Sequence, residues 1–500
     1  MRFAAAFAPS QDRRDRFFST TPTSLGWAIA PLVAAVDQGE MPGWSYAPTI
    51  LDPLRVGPLT ERVTNAYLQD EAPDVLLVSS TYDSHSEARR IAAGGRAANP
   101  DLLVIYGGPH VDEVTVPQVL QKMPQVFPFA EPDCPFDILV AGDGEMILIG
   151  LLRLLESSGS RTRLLDLLGS GQADLRSAPG RWRLYTATGG PVPVVAAATA
   201  MDLTRLPAMP RKLFGGDMDL YGFSCFYEEE AGQRRLLPST STLLHRGCAA
   251  HCTFCSERGG YEERSLTQVA AELQMLAGTG YRGVFFDDST LSDQQMPGVV
   301  PALRDAGLRY GSLNRFDKLQ DSADVRLLAD AGFVYQYCSI EQLDDTVLRG
   351  VGKGQAVAQI RQSATLLDDH GISLGVSLLF GLPHETEESV LATLDFVAVL
   401  ASRGLLSCVS MSLFAFHPNT PATLLGRDGR KVHQRIRFDC PPPNMGSPWS
   451  AFEEGQWWHR EEVTPEWVEW ILQAAEERVA PLLVRNMSKQ GVPHDPAAAV

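Results

Sequence analysis

Three cysteines stand close together in the run His245-Arg-Gly-Cys-Ala-Ala-His-Cys-Thr-Phe-Cys255: Cys248, Cys252 and Cys255. The spacing C-x3-C-x2-C offers three thiolates, one fewer than a closed tetrahedral metal site needs. A [4Fe–4S] cluster held by three cysteines leaves one iron without a protein ligand, and that iron can bind a small molecule. The other chemistry open to this run is a structural zinc ion, with His251, His245 or a distant cysteine as fourth ligand. The triple spacing favours the cluster.

Other groups with chemistry in them sit at the ends of apolar runs. Downstream of the cysteines these are Asp287, Asp288 and Ser289 after Val284-Phe-Phe286, Arg315 after Leu313-Asn314, Glu341 after Ser339-Ile340, and Gly381-Leu-Pro-His-Glu-Thr386 after Leu378-Leu-Phe380. Upstream, Ser79-Ser80-Thr81, Gly107-Gly-Pro-His110 and Gly142-Asp-Gly-Glu145 each follow a run of Leu, Ile and Val. Groups so far apart in sequence serve one site only if the fold brings the ends of these runs to a common edge.

The pattern of elements does this. Strands are expected at 2–7, 74–80, 102–106 and 136–140, with helices at 25–38 and 84–98 and a further helix beginning near Met146. Strands separated by helices imply a parallel, doubly wound sheet, whose ligands bind at the strand C-termini. Residues 156–235 read as a connector holding a hairpin around Gly189-Gly190. From Ser239 the alternation restarts, with strands at 241–244, 283–288, 309–314, 334–341, 373–380 and 408–416 and helices between them. Six βα units suit an incomplete (β/α) barrel with its chemistry at the strand C-termini. The expected division is 1–155, Rossmann-like; 156–235, connector; 236–428, partial (β/α)6 barrel; and 429–500, a small extension with one helix from Pro465.

Composition sets outer limits. Five hundred residues exceed one ordinary core. The 43 basic and 60 acidic side chains give a net charge of −17, which opposes a nucleic acid as the main partner. No stretch of eighteen apolar residues is present and no signal peptide is legible at the N-terminus. Eight cysteines are too few for a disulfide scaffold, and thiolate-bound iron needs a reducing compartment, so a cytoplasmic location is expected.

Over roughly residues 1–425 the chain resembles the cobalamin-binding class of radical S-adenosylmethionine enzymes, on the strength of the cysteine run followed by Asp287-Asp288, Arg315, Glu341, Lys353 and Gly381-Leu-Pro-x-Glu-Thr386 in order. The resemblance implies a [4Fe–4S] cluster on Cys248, Cys252 and Cys255. It also implies S-adenosylmethionine held by Phe254, Asp287, Asp288, Ser289, Arg315, Glu341, Ser377 and Gly381. Ordinary packing is the alternative for Phe254, and a structural ion pair with Arg349 or Lys353 is the alternative for Glu341. The first half is similar to a cobalamin-binding domain, implying that Leu25, Gly26, Ser79, Ser80, Thr81, Tyr82, Gly107, Gly108, His110, Gly142, Gly144 and Glu145 surround the corrin. The Asp-x-His-x-x-Gly motif that puts a histidine on cobalt is absent, and residues 82–85 would lie near the lower face instead.

The implied activity is methyl transfer to an unactivated carbon of a small molecule, a natural-product intermediate above all, with flavodoxin or ferredoxin as electron donor. Two rivals are a cyclisation, ring contraction or rearrangement without methyl transfer, and a non-catalytic cobalamin or iron–sulfur sensor. Cys338 and Cys408 read as small buried hydrophobes. His417 is either a substrate-facing or a loop-capping residue. The tail with Trp457, Trp458, Trp467 and Trp470 either closes the active site or packs on the barrel, and the spacing of Trp467 and Trp470, one helical turn, favours a packing face.

Overall fold

The computed structural model describes residues 1–7, 41, 43–46, 61–80, 84–115, 134–172, 182–186, 193–197, 202–206, 208, 211, 223, 225–230, 233–257, 262–288, 296–414, 417–423 and 463–482. Leu25, Gly26, Thr81, Tyr82, Ser289 and the expected helix at 25–38 lie outside the described residues.

The first sheet has seven strands in the order β2-β1-β3-β4-β5-β7-β6. They are β1 (Arg2–Phe7), β2 (Ser45–Tyr46), β3 (Val75–Ser79), β4 (Leu103–Gly107), β5 (Ile138–Ala141), β6 (Trp182–Thr186) and β7 (Pro193–Ala197). All neighbours pair in parallel except β6 with β7. The helices are α1 (Glu61–Glu71), α2 (His85–Ala98), α3 (Pro109–Thr115), α4 (Glu145–Ser158) and α5 (Arg161–Gly169). One apolar cluster on this sheet gathers α4 and α5, and another gathers α2 and α3. Covering on both faces is why β3 is a continuous apolar run, buried at every position. The hairpin expected in the connector is β6–β7, and it extends this sheet past residue 155 by pairing β7 with β5.

The second sheet is six-stranded and all parallel, in the order β10-β13-β14-β15-β16-β17. Its strands are β10 (Ser239–Thr242), β13 (Gly283–Phe286), β14 (Arg309–Asn314), β15 (Phe333–Glu341), β16 (Ser373–Phe380) and β17 (Leu406–Leu413). Between them run α6 (Leu266–Gly278), α7 (Met296–Ala306), α8 (Ser322–Asp330), α9 (Asp345–Gly350), α10 (Val357–Asp369) and α11 (Glu387–Ser402). This is the expected βα alternation with its boundaries moved by only a few residues. A short hairpin, β8 (Tyr227–Glu230) with β9 (Gln233–Leu236), precedes it.

The outer core packs alternate strand residues such as Val376, Leu378, Val409 and Met411 against the helices. The opposite face carries Phe285 and Tyr335, closed over by Phe223, Phe226 and Leu237 from the segment before the barrel. Cys338 and Cys408 are buried in their strands. Helix α12 (Pro465–Arg478), started by Thr464 as N-cap, inserts Val468, Ile471 and Ala475 into the outer core. Among the described residues no helix is long and apolar enough to cross a membrane.

Candidate functional site

The cysteine loop leaves the end of β10 and is bracketed by the antiparallel pairing of β11 (His245–Arg246) with β12 (Glu262–Glu263), His245 opposite Glu263 and Arg246 opposite Glu262. Its start is pinned by Asp288, whose Oδ1 accepts the backbone N–H of Leu244 at 2.9 Å and of His245 at 2.8 Å. Its middle is pinned twice: Thr253 N donates to Val351 O at 2.8 Å, and Ala422 N donates to Thr253 O at 3.0 Å. Gly352, at φ +65°, lies so close that a Cβ there would come 3.2 Å from His251 O, so a side chain would push on the loop itself.

The three sulfurs sense one another. Burial pushes the Cys255 thiol up to about 11, and the neighbouring charges of Cys252, Glu257 and Cys248 add to the rise. A thiol kept protonated in this way gives up its proton more readily when a cationic group binds beside it. None of the three is in a disulfide. This donor chemistry fits a thiolate-held iron cluster. Among the described residues no group of three or more His, Cys, Asp or Glu is already arranged to hold a metal ion. His251, a fourth ligand in the zinc reading, is exposed, and His245 is buried.

A second layer of charged groups backs the loop. Arg315, just past β14, donates from Nη1 toward Cys252 Sγ at 3.9 Å and from Nη2 to Lys353 O at 2.5 Å, and its Nε lies 2.8 Å from Asp317 Oδ1. The Lys353 ammonium donates to Glu341 Oε1 at 2.6 Å and stands 5.8 Å from the centre of the Phe254 ring. Both the pairing expected as the alternative for Glu341 and a packing partner for Phe254 are therefore present. Glu341 ends β15 beside a register shift and holds φ +60°, a conformation costing a non-glycine residue about 1–2 kcal/mol.

The remaining strand-end residues divide by role. Asp287 is half-buried, and its N–H donates to Thr242 O at 2.9 Å. Asp288 is fully buried, its carboxyl pushed up to about 8 by burial, and it accepts two backbone N–H groups at the loop's root. Ser377 lies on the inner wall, where it and Ser410 hydrogen-bond the Tyr337 hydroxyl. Gly381 N donates to Glu385 at 3.0 and 2.8 Å, and the same carboxylate accepts the Trp467 indole N–H at 2.8 Å and the Gln342 amide. The acid of the Gly-Leu-Pro-x-Glu-Thr run is thus a hub for the turn, and Trp467 packs on the barrel.

In the first sheet, Ser79, Ser80, Gly107 and Gly108 meet at adjoining strand ends. Ser80 N donates to Gly107 O at 3.3 Å and His110 N to Ser80 O at 3.2 Å. Gly108 is required at φ +97°, since a Cβ would reach 2.5 Å from Ser79 Oγ and 2.8 Å from Ser80 O. Beneath them the Tyr106 hydroxyl joins Ser80 Oγ and lies 3.0 Å from His85 Nδ1. The His85 and His110 rings are 4.6 Å apart. Burial drives His85 down to about 3, with Arg89 adding, and drives His110 well below the ordinary imidazole range. These histidines are neutral and inside the domain. Gly142 N donates to Asp112 Oδ1 at 2.6 Å, and Gly144 caps α4.

The two strand-end faces meet. Arg246, two residues before Cys248, reaches Asp143 Oδ1 at 3.0 Å and Glu145 Oε1 at 2.5 Å in the Gly142-Asp-Gly-Glu145 turn. His417 Nδ1, past β17, lies 3.2 Å from Glu113 Oε2 on α3. Glu145 is therefore engaged by the barrel. Nothing local in the sequence marks Arg246, Asp317 or Glu113 for these roles. The Gly352-Lys-Gly354 run was the one local sign of a close backbone approach.

Residues 242–397 match the family model described as the Radical SAM superfamily. Among curated proteins, an uncharacterized methyltransferase of Pyrococcus horikoshii is 23% identical over 338 residues, covering 66% of this chain and 64% of the relative. An anaerobic magnesium-protoporphyrin IX monomethyl ester cyclase of Rubrivivax gelatinosus is 23% identical over 370 residues, covering 72% and 60%. The chain thus spans less than two thirds of either relative. Among solved structures, the radical S-adenosylmethionine methyltransferase TsrM from Kitasatospora setae, with cobalamin and a [4Fe–4S] cluster bound, matches with TM-score 0.59 and 18% identity, over 98% of this chain and 93% of that one. The cobalamin-dependent S-adenosylmethionine radical enzyme OxsB, with aqua-cobalamin bound, matches with TM-score 0.59 and 14% identity, over 89% and 64%. These likenesses establish the two-part fold.

Proposed function

We propose that this chain, whose residues 242–397 carry a radical SAM domain, is a cobalamin-dependent radical S-adenosylmethionine enzyme that methylates an unactivated carbon of a small molecule. Cys248, Cys252 and Cys255 would hold the [4Fe–4S] cluster, and the turns at Ser79-Ser80, Gly107-Gly108 and Gly142–Gly144 would hold the corrin. When bound, these groups and S-adenosylmethionine supply one-electron reduction of a sulfonium and a transferable methyl group.

The protein's own contribution is placement. Arg246 carries the reading, because it joins the root of the cysteine loop to the acidic turn of the first domain and so brings the two strand-end faces against each other. A carbon radical made near the cysteines would then have a methyl donor in reach rather than solvent. Ser377, Ser410 and Tyr337 place hydroxyl groups on the inner wall of the barrel. Asp287, half-buried at the mouth, remains a candidate for the amino group or ribose of S-adenosylmethionine. An external low-potential protein would supply the electron.

Anaerobic reconstitution with methyl-labelled S-adenosylmethionine, cobalamin and candidate small molecules tests this: label is expected in the product. Deoxyadenosine without labelled product would favour the second reading, cyclisation or rearrangement, which the similarity to a cyclase supports. Failure of the reduced, cluster-loaded protein to cleave S-adenosylmethionine would sink both.

A further inference from the structure

We infer that Arg315 is a positioning residue for the iron–sulfur cluster, setting its reduction potential through Cys252, and is not a ligand of S-adenosylmethionine. The inference rests on the cluster assignment above and goes beyond it. The guanidinium is committed in three directions: Nη1 to Cys252 Sγ at 3.9 Å, Nη2 to Lys353 O at 2.5 Å and Nε to Asp317 Oδ1 at 2.8 Å. Its side chain is only 11% exposed, so these partners rather than water hold its orientation. The Lys353 carbonyl it grips belongs to the segment that cradles the cysteine loop, where Val351 O accepts Thr253 N. Arg315 is therefore fixed by the same backbone that fixes the thiols.

A guanidinium held against a ligand sulfur favours the more negative state of the cluster, both as a nearby positive charge and as a hydrogen-bond donor to sulfur. Reduction by the external donor adds one electron to the cluster, so this contact raises the potential. Asp317, at 19% side-chain exposure, partly offsets the cation. The pair makes opposite predictions for two substitutions, which a merely structural strut does not.

The test is an EPR-monitored redox titration of the full-length, anaerobically reconstituted protein, with iron and sulfide analysis of each sample. Arg315→Gln is expected to move the midpoint to more negative potential by a tenfold change in the one-electron equilibrium, about 59 mV. Asp317→Asn is expected to move it the other way. Unchanged midpoints in both loaded variants would overturn the inference. So would weaker S-adenosylmethionine binding by Arg315→Gln at an unchanged midpoint, which is the signature of a substrate ligand. Should Arg315→Gln fail to take up iron, Asp317→Asn decides alone: a positive shift supports the role and no shift overturns it. If the wild-type protein itself binds no [4Fe–4S] cluster, the functional reading falls as well.

Discussion

The ammonium of Lys353 is buried 2.6 Å from Glu341 Oε1, so the acid at the end of β15 and the loop that cradles the cysteines are joined by one ion pair. The side chains are 7% and 6% exposed, and neither charge has ready access to bulk water. Such a pair contributes little over an apolar replacement of both partners, but breaking it strands a buried charge.

Lys353→Met alone is accordingly expected to destabilise the protein by about 3–5 kcal/mol, and Glu341→Gln added to it to recover much of that loss. Chemical denaturation of the two single variants and the double variant reads the coupling. Additive losses would show that the pair is not an energetic unit.

Asp288 gives a pH signature. Its carboxyl is pushed up to about 8 by burial, whereas an unfolded aspartate titrates at about 3.9. The folded chain binds this proton more tightly, so its stabilising effect is complete below the unfolded value and is lost as pH rises through the folded one. Asp288→Asn keeps an oxygen for Leu244 N and His245 N and cannot ionise. The variant should gain on the parent as pH rises toward 8, in denaturation midpoints taken across that range. Parallel curves would rule this out.

Gly352→Ala should cost about 1–2 kcal/mol for the left-handed backbone, and it should also disturb the loop, because the new Cβ sits 3.2 Å from His251 O. The expected result is a lower melting temperature together with reduced iron uptake. Gly159→Ala, at φ +74° with open space around it, is the control: it carries the backbone cost without the iron defect.

Trp467→Phe keeps the ring and removes the indole N–H that Glu385 accepts at 2.8 Å. Burial already raises the Glu385 carboxyl, so losing a donor should cost about 1–3 kcal/mol. Proteolysis within α12 should accelerate while the barrel core persists. Unaltered cleavage would mean that the apolar contacts of Val468 and Ile471 hold the helix unaided.

The barrel was legible because its strands set apolar residues at alternate positions for the outer core, between helices of regular apolar pattern. Strand β16 has the bounds expected of it, Ser373–Phe380. Polar or short elements were not legible: β8 and β9, reading Tyr-Glu-Glu-Glu and Gln-Arg-Arg-Leu, and the helices α1, α5 and α9 carry too weak a pattern. The pairing of β7 with β5 joins segments more than fifty residues apart, which no local pattern encodes. The cysteines were legible because their spacing is itself the chemistry. The carboxylates were only half legible. Asp287 and Asp288 are adjacent and must point oppositely, but the strand period does not say which one faces inward. For Glu341 the sequence offers the Lys353 partner, 12 residues away, as one of two alternatives, whereas the Arg246 partner of Glu145 lies 101 residues away and no local pattern encodes it.

The reach of Arg246 makes the two halves a matched set. An arginine two residues from Cys248 is answered by acids at 143 and 145 of the other sheet, so neither half carries the complete junction by itself. Exchanging the whole first sheet, β6 and β7 included, for that of a relative would keep the junction only if the newcomer brought an acidic turn at the same height. The two modules are therefore matched at this junction, with the arginine as the key cut for that turn.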